Sequence, residues 1–165
     1  MTEPSAGLPA IPRPVESQSL PDPVALMALY DVNYQCLLAL CPSLRNPVMQ
    51  ARRYRDDSLP GMPTLKLEFH DHTRHTATFG LTCRWGDTEE MEFLPDVQLR
   101  LYRDSRQAEL HGHRGIPLIP GRIPERDLQE EWLCRRYAGN RFLLNWLRYC
   151  LRQGYHLAAN PDYMP

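Results

Sequence analysis

Five of the six histidines fall in two groups, His70, His72 and His75, then His111 and His113. Imidazole is a common metal ligand, and residues two apart on a strand share a face. A joint site would need both groups at the same end of a sheet. The first group spans a turn between two strand-like runs, and the second closes a later run. If residues 89–103 form one strand, the groups sit at opposite ends. Only a true turn at Pro95–Asp96 brings them together, and proline in a strand more often marks an edge or a bulge. Exposed loop histidines and no bound metal are therefore expected.

Arg100, Tyr102 and Glu109 form a second set. A tight turn at Asp104–Ser105 pairs Tyr102 with Gln107 and Arg100 with Glu109, on the polar face of a hairpin. Taken as an ion pair this contributes a few tenths of a kcal/mol. Together with Tyr102 and a row of threonines it is also a candidate binding surface. Asn33 and Asn140 are polar residues beside apolar stripes, and are candidates too, with capping or core hydrogen bonding as the plainer role. Arg141, Arg148 and Arg152 share the outer face of the last helix with Asn145. This is a solvated face or one that meets an acidic partner, with Arg148 as its candidate. The sequence has no nucleophile elbow, phosphate loop, His-Glu-x-x-His run or dinucleotide fingerprint, so no catalytic residue and no cofactor are assigned.

The five cysteines, Cys36, Cys41, Cys83, Cys134 and Cys150, are odd in number and include no Cys-x-x-Cys pair. This argues against a disulfide framework or a thiolate zinc site and suits small buried hydrophobes. Eighteen arginines stand against a single lysine, Lys66, yet the net charge is −1. That balance lacks the basic excess of a non-specific nucleic-acid binder. Arginine can fork onto phosphates and carboxylates, but base composition of the gene explains the bias more simply. No leader pattern and no run of about 18 apolar residues is evident, which sets the expectation of a cytoplasmic protein without a membrane span.

These residues need elements to hold them. Residues 1–21 carry five prolines and read as a disordered tail. Asp22 and Pro23 then signal a helix start, and Val24, Met27, Tyr30, Tyr34, Leu37, Leu38 and Cys41 recur at helical spacing until Pro42 stops it. Four runs alternate with period two: Leu65-Leu67-Phe69, Ala77-Phe79-Leu81-Cys83, Val97-Leu99-Leu101 and Ala108-Leu110. A further short strand is possible at Val48–Tyr54. Leu128, Trp132 and Leu133 open a second helical stripe, continued by Leu143, Trp146, Leu147, Cys150 and Leu151. A break is expected at Gly139–Asn140, with Asn140 as a cap, and Gly154 ends the segment. The fold class is α+β: an antiparallel meander of four to five strands, one face covered by an N-terminal helix and a C-terminal helical segment. The domain is expected over 22–154, with 155–165 as an extension.

Three runs then point to a family. Asn140-Arg-Phe-Leu-Leu-Asn-Trp-Leu-Arg-Tyr-Cys-Leu151, Val97-Gln-Leu-Arg-Leu-Tyr-Arg-Asp-Ser-Arg-Gln-Ala-Glu-Leu110 and Asn33-Tyr-Gln-Cys-Leu-Leu-Ala-Leu-Cys-Pro42 resemble the YqiB-like proteobacterial proteins, over roughly 22–154. The family is a cytoplasmic domain of unknown function, so the resemblance implies location and extent rather than activity. Members are often encoded beside a cyclic-nucleotide phosphodiesterase and an ADP-ribose pyrophosphatase, which hints at nucleotide signalling. Two functions follow. The leading one is a non-enzymatic interaction or regulatory protein with a protein partner, because no catalytic motif is present. The other is an enzyme or sensor for a nucleotide-like phosphorylated ligand. In this motif setting Trp146 and Tyr149 are expected to pack on the sheet.

Deleting residues 1–21 should leave the melting temperature within a few degrees of the full chain. A large drop in a thermal melt would show that the tail packs on the domain.

Overall fold

A computed structural model of the chain describes residues 20–46, 51–85, 95–114, 116–117 and 127–159. The proline-rich residues 1–19 and the suggested strand start at 48–50 lie outside them.

Helix α1 runs from Pro23 to Leu40 and starts as its sequence demands. The Val24 amide donates to Asp22 Oδ1 at 2.9 Å, and Pro23 stands where no amide is needed. Pro42 does not simply stop the chain but opens a 3-10 turn, Pro42–Arg45. The inner face carries Leu26, Tyr30, Asn33, Tyr34, Leu37 and Leu38. Val24 and Met27, expected there, are 72% and 48% exposed. The helix is apolar almost all round, so periodicity alone cannot select the inner face; the buried contact of Asn33 with Asn140 does. With 18 residues and a mean hydropathy of 1.2, α1 is long and apolar enough to cross a membrane by length and composition, contrary to the expectation from sequence. In the fold its inner face is buried against the rest of the domain.

The sheet is an antiparallel meander. Its long strands are β1 (Arg53–Asp56), β2 (Thr64–His72), β3 (Thr76–Arg84), β4 (Asp96–Tyr102) and β5 (Gln107–His113). Two-residue strands β6 (Ile116–Pro117) and β7 (Ala158–Ala159) lie at the edges, in the order β6-β5-β4-β3-β2-β1-β7. The period-two runs set the register: Leu67 faces Leu81, Phe79 faces Leu99, and Leu101 faces Ala108. These residues are all buried, forming one apolar face that packs with Leu37, Leu40, Leu143 and Leu147 of the helices. The β2–β3 turn is closed by Thr73, whose Oγ1 accepts from the Thr76 amide at 3.0 Å. At the β4–β5 turn Arg106 takes a left-handed φ of 56°, and Tyr102 pairs with Gln107 as expected.

Helix α2, Asp127–Gln153, is continuous. The expected break at Gly139–Asn140 is absent because Asn140 spends its side chain on a strand, described below, rather than on a helix end. Gly154, at φ 92°, does end the helix. Beyond it the chain is not a loose extension: Tyr155 and Leu157 are buried in the core. The Leu157 amide donates to Leu40 O at 2.8 Å and the His156 amide to Asp56 Oδ2 at 2.8 Å, while Ala158 and Ala159 pair with β1. The domain therefore continues to at least residue 159. Asp56 anchors this strap. Burial raises its carboxyl pKa, but hydrogen bonds from Ser58 and His156 outweigh that and hold it below the usual carboxylate value.

On α2, Leu143, Trp146, Leu147 and Cys150 are buried, whereas Tyr149, expected to pack, is 43% exposed. It lies about 100° round the helix from Cys150. Trp146→Ala should cost about 3–5 kcal/mol by loss of burial and creation of a cavity. Arg148→Ala, on the exposed side, should cost under about 1 kcal/mol. Denaturant midpoints of the two variants check this, and a near-wild-type midpoint for Trp146→Ala would place that ring outside the core.

Candidate functional site

Two arrangements of polar side chains stand out, one sealed and one open. The sealed one lies at the outer edge of β5. There, among the described residues, β6 pairs with Gly112 and His113 alone, so backbone groups nearer the turn need other partners. The Leu110 amide donates to Asn140 Oδ1 at 2.9 Å, and Asn140 Nδ2 donates to Arg136 O at 2.8 Å. Asn33 Nδ2 donates to the same Asn140 Oδ1 at 3.3 Å. Both asparagines are fully buried. Beside them the Glu109 carboxylate accepts from Tyr102 Oη at 2.8 Å and from Arg136 Nη1 at 2.8 Å. Arg136 Nη1 also donates to Tyr30 Oη at 3.0 Å, and its guanidinium lies 4.3 Å from the centre of the Trp132 ring. Burial raises the pKa of both phenols, and for Tyr102 the bond to Glu109 adds to the rise.

The structure thus gathers Asn33, Tyr102, Glu109 and Asn140 into one cluster and adds Arg136 and Tyr30. Arg100 stands opposite Glu109 in the register, as expected, but their expected ion pair is replaced. Arg136 takes the carboxylate, and Arg100 turns to the Tyr102 hydroxyl. Glu109 is consequently only 6% exposed rather than set on a wet face. Arg148 is far from this set in role: it is exposed and approaches Cys36 of α1. Arg136 falls on the apolar stripe of α2, and a charge on such a stripe is the one sign in the sequence that the helix meets a buried acid. Glu109 is taken up by Tyr102 and Arg136, while Asn33 Oδ1 and Arg136 Nε have no partner among the described residues; the arrangement joins α1 and α2 to β5.

The open arrangement lies on the other face of the sheet. Alternation sends Arg53, Arg55, Lys66, Glu68, Thr82, Arg84, Asp96 and Gln98 to one side, where they line a groove of about 590 Å³. His70 joins them by the same alternation as Lys66 and Glu68; the register of β2 shifts only after Phe69, a bulge that sets Asp71 opposite Thr78 and His72 opposite Ala77. Gly80 forms part of the floor. A Cβ there would meet His70 Nε2 at 3.1 Å and Gln98 Nε2 at 3.4 Å, so two side chains lean over a position with none of its own. Arg53 pairs with Glu68 at 3.0 Å and Arg55 with Asp57 at 2.6 Å. Along the chain Lys66 stands out only as the single lysine; its setting depends on three neighbouring strands.

The histidine groups do lie at opposite ends of the sheet. His72 is in the row of Ala77, Leu101 and Ala108, near the β2–β3 turn, while His113 pairs with Val97 at the start of β4. Among the described residues no group of three His, Cys, Asp or Glu side chains is placed to hold a metal. The cysteines are free thiols, and burial pushes Cys41 and Cys150 up to about 12 and Cys83 up to about 11, which leaves them protonated and weakly nucleophilic.

Comparison with known proteins places the fold in a class without an assigned activity. A family profile described as a protein of unknown function, DUF1249, matches residues 36–156, and the chain belongs to that family. No curated protein and no solved structure matches it.

Glu109→Ala should cost about 3 kcal/mol, because it strips the acceptor from Arg136 and Tyr102 in a buried setting. Glu131→Ala breaks only an exposed pair with Arg135 one helical turn away and should cost under about 0.5 kcal/mol. Urea unfolding of the two variants measures the difference, and equal midpoints would show that the sealed cluster does not hold the helices.

Proposed function

We propose that the protein is a non-catalytic regulatory protein of the cytoplasm that acts by binding, and that the polar face of its sheet is the surface it binds with. One observation carries this reading: a groove of about 590 Å³ opens on that face, while the helices occupy the other. Its volume is that of a small-ligand site, and its charged side chains are mostly cations. The buried, protonated thiols and the Glu109 carboxylate, already engaged by Tyr102 and Arg136, support binding over catalysis. The runs Val97–Leu110 and Asn140–Leu151 favour a position for the chain, within its family, among the YqiB-like bacterial proteins. A protein partner would receive the regulatory signal. The groove cations favour a second reading, a sensor of a phosphorylated ligand, in which the same face takes up a small molecule.

Amide NMR of the labelled protein, titrated separately with the protein and the small-molecule fractions of a cell extract, tests this. Signals of Lys66, Gly80, Thr82 and Gln98 should move and those of α1 and α2 should stay. Shifts confined to the helices would overturn the assignment of the face. Steady consumption of any metabolite, followed by mass spectrometry, would make the protein an enzyme.

A further inference from the structure

We infer that the groove is a site for a small phosphorylated molecule, with the phosphate held between Lys66, Arg84 and Arg55 and a flat polar group held against His70 and Gln98 where they cover Gly80. This rests on the reading that the polar face is the binding surface, and it names what binds there.

The phosphate end follows from the pairing of the strands. Arg55 stands directly opposite Lys66 in the β1–β2 ladder. Like charges facing each other across a ladder destabilise it. Lys66 in turn faces Thr82, two residues before Arg84 on β3, so Arg84 is its diagonal neighbour on the same face. Three cations therefore surround one patch of groove wall. Among the described residues neither Lys66 nor Arg84 forms an ion pair. Arg55 is held by Asp57, but both side chains of that pair are about half exposed, at 44% and 57%, so an incoming anion can share the guanidinium. Two carboxylates are near. Glu68 is engaged by Arg53, and Asp96 faces Thr82 on the far side from Lys66. A dianionic phosphate placed at Lys66 meets the cations first and relieves their mutual repulsion, through charge-assisted hydrogen bonds of the kind Arg and Lys make. Thr82, between Lys66 and Asp96, offers a hydroxyl to the same oxygens.

The second half of the site follows from Gly80. It is buried in the middle of β3, where a glycine costs stability unless something approaches the backbone closely, and here the His70 and Gln98 side chains do. The His70 ring and the Gln98 amide flank it from the two neighbouring strands. A planar group can lie against these two side chains and exchange hydrogen bonds with both, and Asp96 offers an acceptor at the rim. The limited volume argues for a small molecule rather than an extended acidic peptide, which would run past the groove along the strands.

The probes are inorganic phosphate, 4-carbamoylphenyl phosphate, whose flat ring ends in an amide, and a hexaglutamate peptide, each titrated into the full chain with amide NMR as the readout. Phosphate should move Lys66, Thr82 and Arg84, and 4-carbamoylphenyl phosphate should bind more tightly and also move Gly80 and Gln98. Lys66→Gln and, independently, Arg84→Gln should each weaken both phosphates by about tenfold, the loss of one charge-assisted contact. Gly80→Val should leave inorganic phosphate unchanged and cancel the advantage of 4-carbamoylphenyl phosphate. Spectra of the variants outside the groove verify the fold. Phosphate without effect on these amides, or hexaglutamate binding more tightly than 4-carbamoylphenyl phosphate, would overturn the phosphorylated small molecule. In either case shifts of the same amides by cell extract would leave the binding face standing. Movement of helix signals alone, by extract and probes alike, would remove both.

Discussion

The Leu110 amide points away from its own sheet, at an edge where β6 is too short to reach it, and Asn140 accepts its proton. An orphaned buried amide costs as much as a lost hydrogen bond, so whatever packs here must bring an acceptor. Helix α2 brings one, and the rest of the arrangement follows. With Asn140 fixed on β5, Arg136 lies one turn earlier and meets Glu109, while Leu143 and Leu147, on the following turns, reach the apolar face. Asn33 hydrogen bonds to the same acceptor from the other helix, which fixes the rotation of α1. The junction therefore sets which side of a nearly featureless apolar helix is buried. It also requires α2 to remain helical through Gly139, at the cost of a residue with poor helix propensity.

How much of this is legible in the residues depends on the range of the interaction involved. Alternation is local, so the strands, their register and the facing of Arg100 and Glu109 can be read from the order of side chains alone. So can the Asp22 cap and the Gly154 stop. The Arg136–Glu109 pair joins residues from different elements, and nothing local tells a carboxylate that its partner is a helix charge rather than the arginine across the strand. The same holds for Asn140: beside a glycine it has the pattern of a cap, and only the unmet amide on β5 explains why it is not one. Tyr155 and Leu157 follow a helix stop on a short tail, and their burial depends on Leu40 and Pro63, distant in sequence. The groove is the least legible part. Four strands contribute to it, each with two or three ordinary polar residues, and nothing within one strand tells which polar rows its neighbours will set beside it.

The two faces of the sheet differ in what their charges can do. Buried charge is tolerated on β5 because every acid there is matched: Glu109 accepts from Tyr102 and Arg136 in a partly dry setting. Such a pair contributes geometry more than net stability, since desolvation offsets much of the attraction. Pairs on the open face are wet and weak, and they exchange readily with solvent ions. A face built to do nothing would alternate its signs across the strands, as the Arg53–Glu68 pair does.

The β1–β2–β3 patch departs from that rule, and the sealed cluster contributes to the departure. Glu109 is turned inward to Arg136, which withdraws one carboxylate from the polar face. Glu68 is committed to Arg53 and Asp57 to Arg55, so the acid closest to Lys66 along the row is Asp96, with Thr82 between them. Lys66 and Arg84 then stand beside Arg55 across neighbouring strands without an acid of their own among the described residues. The ladder tolerates this because the apolar face beneath is fully packed and can absorb a repulsion of a few tenths of a kcal/mol. The joint between helices and sheet thus supplies both the stability that permits a strained surface and part of the charge imbalance that makes it one.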